Sequence, residues 1–248
     1  MHLKRILFFV VLLSCFTASK AQIGKHRNDL SVGVNGGFVM SRVNFMPTVT
    51  QSQYPGFTGG LSVKYVSEKY FNTICSIYGE INYSVIGWKE NIRDANRQPV
   101  INSVTSVAEE YQRNLGYIQV PIFAHLAWGR EYKGAQFFLN LGPQFGFLIS
   151  ESTTTNFDFS QRNTTDRVNQ TAAQDTLSIE HKFDYGIAAG LGVEYVVPKV
   201  GHFLLEGRYY YGLGNIFGDR KKDYFSRSNI GNIVIKLTYL FDITKTKK

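Results

Sequence analysis

The chain holds only two cysteines in 248 residues, and beyond its first 21 positions it has no apolar run of the length a membrane helix requires. A helix needs about 20 consecutive apolar residues to cross a bilayer, so any membrane entry by the rest of the chain must be made by strands. Cys15 falls in the leader described below, which leaves Cys75 alone and excludes an intrachain disulfide even in an oxidising compartment. Cys75 then reads as a small apolar filler. The five histidines, His2, His26, His125, His181 and His202, show no metal-ligand spacing. No metal, no cofactor and no catalytic set is expected. Helix formers such as Ala and Leu do not dominate, whereas 23 Gly, 15 Tyr and 19 Phe suit a sheet that meets an interface.

The start of the chain stands apart. His2, Lys4 and Arg5 make a basic opening, Ile6 to Phe16 an apolar run, and Ser19-Lys20-Ala21 a small-residue cleavage site, so residues 1–21 are expected to be a cleaved signal peptide. A rival reading places a lipidated Cys15 after Leu12-Leu13-Ser14. Cleavage after Ala21 removes Lys4, Arg5 and Lys20 from a formal charge of +8. Much of the remainder lies in Arg220-Lys221-Lys222 and in Lys245, Lys247 and Lys248, which read as a solvated loop and tail. An exported chain meets no genome, so no nucleic-acid partner is expected.

Period-two alternation then gives eight segments: Leu30 to Met40, Phe57 to Tyr65, Cys75 to Val85, Ile118 to Leu126, Phe137 to Phe147, Phe183 to Tyr195, Phe203 to Leu213 and Ile233 to Phe241. Each is near the 9 to 11 residues that a tilted strand uses to cross a bilayer. None of the apolar-face positions is charged. The alternate face carries Lys64, Glu80, His125, Asp184, Glu194, Glu206, Arg208 and Lys236 among Gly, Ser and Asn. That is the composition of a narrow lumen, because a lipid face avoids Lys or Arg at a cost of about 2–4 kcal/mol each near mid-membrane. The predicted fold is therefore all-β, an eight-stranded antiparallel up-and-down transmembrane β-barrel over residues 22–241, with a short basic periplasmic tail at 242–248.

Connections alternate in length, long at 42–56, 88–113, 150–181 and 215–228 and short at 67–72, 128–134 and 196–202, the asymmetry of outer-membrane barrels. Two aromatic girdles are expected, from Tyr65, Trp128, Tyr195, Phe203, Tyr239 and Phe241 near the inner rim and from Trp88, Phe147, Phe183 and Tyr211 near the outer one. The polar loop at 150–181 is expected to be mobile. Pro121 and Pro143 cannot donate a ladder hydrogen bond, so each is expected to mark a bulge, which would invert the faces beyond it.

Several stretches are familiar in order and wording: Gly79-Glu80-Ile81-Asn82-Tyr83-Ser84, Tyr117-Ile118-Gln119-Val120-Pro121, Leu141-Gly142-Pro143, and the run from Phe183-Asp184-Tyr185-Gly186 through Gly190-Leu191-Gly192-Val193-Glu194 to Glu206-Gly207-Arg208-Tyr209 and Gly212-Leu213-Gly214-Asn215-Ile216. Over nearly all the mature chain this resembles the PorT-like outer-membrane β-barrel family of Bacteroidetes-type bacteria. The resemblance implies an outer-membrane barrel; one member is associated with a secretion pathway for surface and exported proteins, most have no assigned activity, and no catalytic residue carries over. The ending departs from the usual terminal aromatic, since Phe241 is followed by Asp242 to Lys248.

Two motifs invite functional readings. Gly190-x-Gly192 lacks the helix and the third glycine of a dinucleotide site, and reads as lumen glycines that make room for larger neighbours. Ser178, His181 and Asp184 could serve a lipid-modifying hydrolase or acyltransferase at the rim, but strand alternation turns His181 and Asp184 to opposite faces. The leading expectation is a non-enzymatic outer-membrane barrel with a side-chain-filled lumen, in which Glu80, Glu194 and Glu206 pair with Lys64, Arg208 and Lys236. Its role would be structural or accessory, in secretion or surface assembly; a narrow porin-like channel is the alternative. Expected partners are outer-membrane lipid, the outer-membrane assembly machinery and other envelope or secretion proteins.

Overall fold

The computed structural model describes residues 25–168, 172–218 and 223–246. The predicted leader with Cys15, the Arg220-Lys221-Lys222 cluster, and Lys247 and Lys248 lie outside the described residues. Eight long strands carry the fold: β1 (Lys25–Met46), β2 (Tyr54–Tyr70), β3 (Thr73–Glu90), β4 (Tyr111–Gly129), β5 (Gly134–Thr155), β6 (Phe183–Val197), β7 (Gly201–Gly212) and β8 (Arg227–Thr244). A two-residue strand, Gln51–Ser52, pairs with Glu90 and Lys89 at the end of β3.

Each long strand pairs antiparallel with the next. β8 then returns to β1, with Val34 opposite Tyr239 and Phe38 opposite Ile235, so the sheet closes on itself as an eight-stranded up-and-down barrel without a free edge. Short turns join the strands at one end, with Gly129 (φ +140°) and Gly201 (φ +141°) supplying backbone angles that a side chain resists. The long loops gather at the other end.

The alternation sorts the faces as the period requires. Phe38, Phe137 and Leu191 point outward and are 78%, 69% and 68% exposed, while their neighbours Val39, Phe138 and Gly190 turn inward. An outer wall of Phe, Leu, Ile and Tyr around a charged, closely filled interior is the reverse of a soluble domain, and it is stable only against hydrocarbon.

Four expectations need correction. Pro121 and Pro143 mark no bulge: the β4–β5 register is constant from Tyr117 opposite Leu148 through Pro121 opposite Gln144 to Ala124 opposite Leu141, and Pro143 faces Ile187 in unbroken register. The one-residue insertion falls instead at Ile149, between the pairs Gly116–Ser150 and Tyr117–Leu148. Since no bulge intervenes, the faces assigned across β4 and β5 hold through the membrane belt. Trp88 leaves the outer girdle; it shares the even parity of Tyr78, Glu80 and Ile86 on β3 and is wholly buried inside. The loop at 150–181 is not a loose segment: β5 continues to Thr155, and the described residues beyond it pack into the barrel mouth with Phe157, Arg167, Gln174, Asp175 and Ile179 buried. Finally, the strands outrun the expected 9 to 11 residues, β1 and β5 reaching 22, because they stay paired beyond the apolar belt, β5 mainly at the long-loop end and β1 at both ends. β8 likewise runs to Thr244, past the boundary drawn at Phe241.

Candidate functional site

The interior is built in tiers. At the centre, β3, β7 and β8 aim Glu80, Glu206, Arg208 and Lys236 at one another, each at most 4% exposed. Arg208 donates two hydrogen bonds to Glu80, Nη1 to Oε2 at 2.9 Å and Nη2 to Oε1 at 3.0 Å, and two to Glu206, Nε to Oε1 and Nη2 to Oε2 at 2.9 Å each. Its guanidinium also lies 4.4 Å from the centre of the Phe123 ring. The Lys236 ammonium bonds Glu80 at short range and sits 3.6 Å from Glu206. The planar fork of Arg suits this double carboxylate grip as a lysine would not.

Toward the short-turn end, Lys64 on β2 and Glu194 on β6 form a second buried pair. His202 bonds the same carboxylate through Nδ1 and reaches Asp242 through Nε2 at 2.9 Å; Asp242 also accepts from the Ser31 hydroxyl at 2.7 Å. His125 bridges the two tiers, with Nδ1 at 2.7 Å from the Asn140 side-chain oxygen and Nε2 at 3.6 Å from Glu194, and Asn140 donates to Glu206 at 3.0 Å. Thus the six charges singled out in the sequence lie in one connected polar network of three carboxylates and three Lys or Arg side chains. His125, His202, Asn140 and Asp242 complete it. Alternation exposes the parity of His125 and Asn140, whereas His202 and Asp242 meet across the β7–β8 pairing, in which His202 lies opposite Leu240.

Glycines make this filling possible. A Cβ on Gly190 would fall 2.3 Å from Glu206 Oε1, and one on Gly192 would fall 2.2 Å from the Phe138 ring. These two positions give space to larger neighbours, and β6 continues through them with no helix behind.

Toward the long-loop end the lumen turns apolar. Val39, Val43, Ile86, Leu115 and Ile230 pack inward, and above them Phe45, Trp88, Phe217 and Phe225 form an aromatic cluster. The 150–181 loop seals this tier. Arg113 donates to the Gln174 and Leu177 carbonyls at 3.1 and 2.6 Å, pairs with Glu151, and lies over the Trp88 ring. Arg167 bonds Glu109 at 3.0 Å and Asp175 at 3.2 Å and stands 3.8 Å from Glu90. Glu90 follows the last outward apolar residue of β3 and lies above the belt; burial first, and the Asp175 carboxylate second, push its carboxyl up to about 8. Burial also raises Asp175.

The rim trio does not assemble. Asp184 points into the lumen and accepts from Tyr210 Oη at 2.6 Å, whereas His181 is exposed and its Nδ1 lies 2.9 Å from the Asn215 carbonyl; Ser178 is exposed on the loop. Among the described residues, no three His, Cys, Asp or Glu side chains converge as a metal site.

A family model described as outer membrane protein beta-barrel domain matches residues 20–218. Among solved structures, Ail, the attachment invasion locus protein of Yersinia pestis, is similar at 13% identity over 85% of this chain and 98% of its own, with a TM-score of 0.35. OprG from Pseudomonas aeruginosa is similar at 11% over 88% and 98%, and the neisserial surface protein NspA at 10% over 86% and 97%, each with a TM-score of 0.38. Likenesses at those identities and scores carry no functional inference. No curated protein matches the chain.

Proposed function

We propose, from the premise that this chain belongs to the outer membrane protein β-barrel domain family and resides in the outer membrane, that it is a closed, non-enzymatic barrel with a structural or accessory role. The observation that carries this reading is the doubly stopped lumen. A balanced set of buried ion pairs fills the lower half, and an apolar tier beneath a folded loop fills the upper half. Buried charges are costly unless paired. Here Glu80, Glu194 and Glu206 are each held by a cation, Asp184 is held by the Tyr210 hydroxyl, and the apolar tier offers an ion few groups to replace its water.

What remains accessible is the loop platform on the outer face and the short turns on the periplasmic face. In the PorT-like family one member is associated with a secretion pathway, and on that resemblance these surfaces would serve secretion or surface assembly, with envelope or secretion proteins as partners beside membrane lipid and the assembly machinery. Single-channel recording on purified full-length protein in planar bilayers tests the closed lumen. A flat baseline is expected, and steady, large openings would replace this reading with that of a narrow channel for small solutes. The accessory role is tested separately, by the secreted and surface protein profile of a deletion strain.

A further inference from the structure

We infer that the outer rim between β6 and β7 is a binding groove for one membrane lipid with a phosphate-bearing headgroup. The groove is an open depression of about 440 Å³ lined by His181, Lys182, Phe183, Tyr185, Leu213 and Asn215, with Gly214 and Glu180 completing its lining. Its lower wall is apolar and faces away from the lumen: Phe183, Tyr185 and Leu213 are 45%, 45% and 52% exposed on the outward side. Phe183 stacks on Tyr185 at 6.1 Å and packs against Phe147 at 4.9 Å, which makes a continuous aromatic wall at the end of the belt.

The upper wall changes character within two residues. Lys182 and His181 follow directly above Phe183, where the strand leaves the hydrocarbon, and both are exposed. The floor beneath them is fixed: Lys182 offers its carbonyl to the Leu148 amide at 2.8 Å, Leu213 donates its amide to Tyr185 at 2.8 Å, and His181 donates its amide to Ile216 at 3.2 Å. A carbonyl can only accept, so the contact with Asn215 O places a proton on His181 Nδ1. An ammonium above an aromatic slot matches a phosphodiester above an acyl chain: the rings take the chain, and Lys182 takes a phosphate oxygen. A soluble polar ligand would leave the aromatic wall unused, and a neutral lipid would leave Lys182 unused.

The test uses full-length protein reconstituted in nanodiscs of phosphatidylcholine with a minor share of phosphatidylglycerol, then stripped in mild detergent and weighed by native mass spectrometry. The wild type is expected to retain one phosphatidylglycerol, and Lys182→Glu to retain it about tenfold less well, the loss of one charge-assisted contact. Lys133→Glu, the same charge change on an exposed short-turn residue, is expected to behave as wild type. Lys182→Gln serves if the reversed charge impairs assembly, with the heat-dependent gel shift reporting a folded barrel for every variant. Equal retention in wild type and both Lys182 variants, or equal loss in Lys133→Glu, would overturn the groove. Displacement of the lipid by millimolar inorganic phosphate would show that a free anion is the occupant, and would overturn it as well. Because the groove faces away from the lumen, none of these outcomes alters the conductance result.

Discussion

At the scale of single residues, the interior depends on pairing more than on burial. Arg208 grips both Glu80 and Glu206 with four hydrogen bonds and the Phe123 ring beneath it, whereas Lys236 hydrogen-bonds Glu80 and stands 3.6 Å from Glu206. Replacing Arg208 leaves two carboxylates against a single lysine in a deeply buried site. Arg208→Met is therefore expected to lower the stability of the folded barrel by about 3–5 kcal/mol, the usual cost of orphaning buried charge, read as a shift of the urea midpoint for loss of the heat-modifiable band. A cost below about 1 kcal/mol would mean that water reaches the network. Gly190→Ala probes the same site sterically, because the new methyl must displace the Glu206 carboxylate from Arg208. A loss of about 1–3 kcal/mol is expected by the same assay.

At the scale of elements, the strands and their faces were readable because one physical demand, apolar outside and polar inside, acts on every second residue. Lys64, Glu80, Glu194, Glu206, Arg208 and Lys236 were legible for that reason, while which of them touch was not, since partners such as Lys64 and Glu194 are 130 positions apart. The 150–181 loop was misread because its composition is polar. Its order comes from Arg113 and Arg167, charged residues that bind its carbonyls and carboxylates, and polar composition alone does not distinguish a latch from a solvated loop. Trp88 was misplaced for a related reason, as a rim tryptophan suggests a lipid interface even where its parity points inward. The latch makes a pH prediction. With the loop docked, Glu90 keeps its proton up to about 8, whereas in an opened mouth it ionises near 4.5. Its contribution to docking is full below the lower value, declines between the two as the open form loses its proton first, and is gone above the upper one. Amide exchange in residues 172–180, corrected for intrinsic rate, should therefore be faster at about pH 9 than at about pH 5, and Glu90→Gln should flatten that slope. An unchanged slope in the variant would assign the effect elsewhere.

At the scale of the whole molecule, the two tryptophans turn the claim of an inside-out protein into a measurement. Trp128 closes β4 at the short-turn end, is 39% exposed, faces outward and donates from its ring nitrogen to Thr73 Oγ1 at 2.8 Å, so it stands where the periplasmic headgroups meet the hydrocarbon. Trp88 is wholly buried at the opposite end, between Phe45, Tyr111 and Phe217 and under the Arg113 guanidinium. In vesicles containing lipids brominated high on the acyl chain, the emission of Trp88→Phe, which reports Trp128 alone, should be strongly quenched. The emission of Trp128→Phe, which reports Trp88, should be nearly indifferent to bromine at any depth. Aqueous iodide should spare Trp88 too, because the loop above it excludes water from the mouth. A barrel with the opposite packing would reverse the two bromine results, and a chain that folded as a soluble sheet would show neither. The pair of variants thus reads, from one protein in one bilayer, both which surface meets lipid and whether the outer mouth is shut.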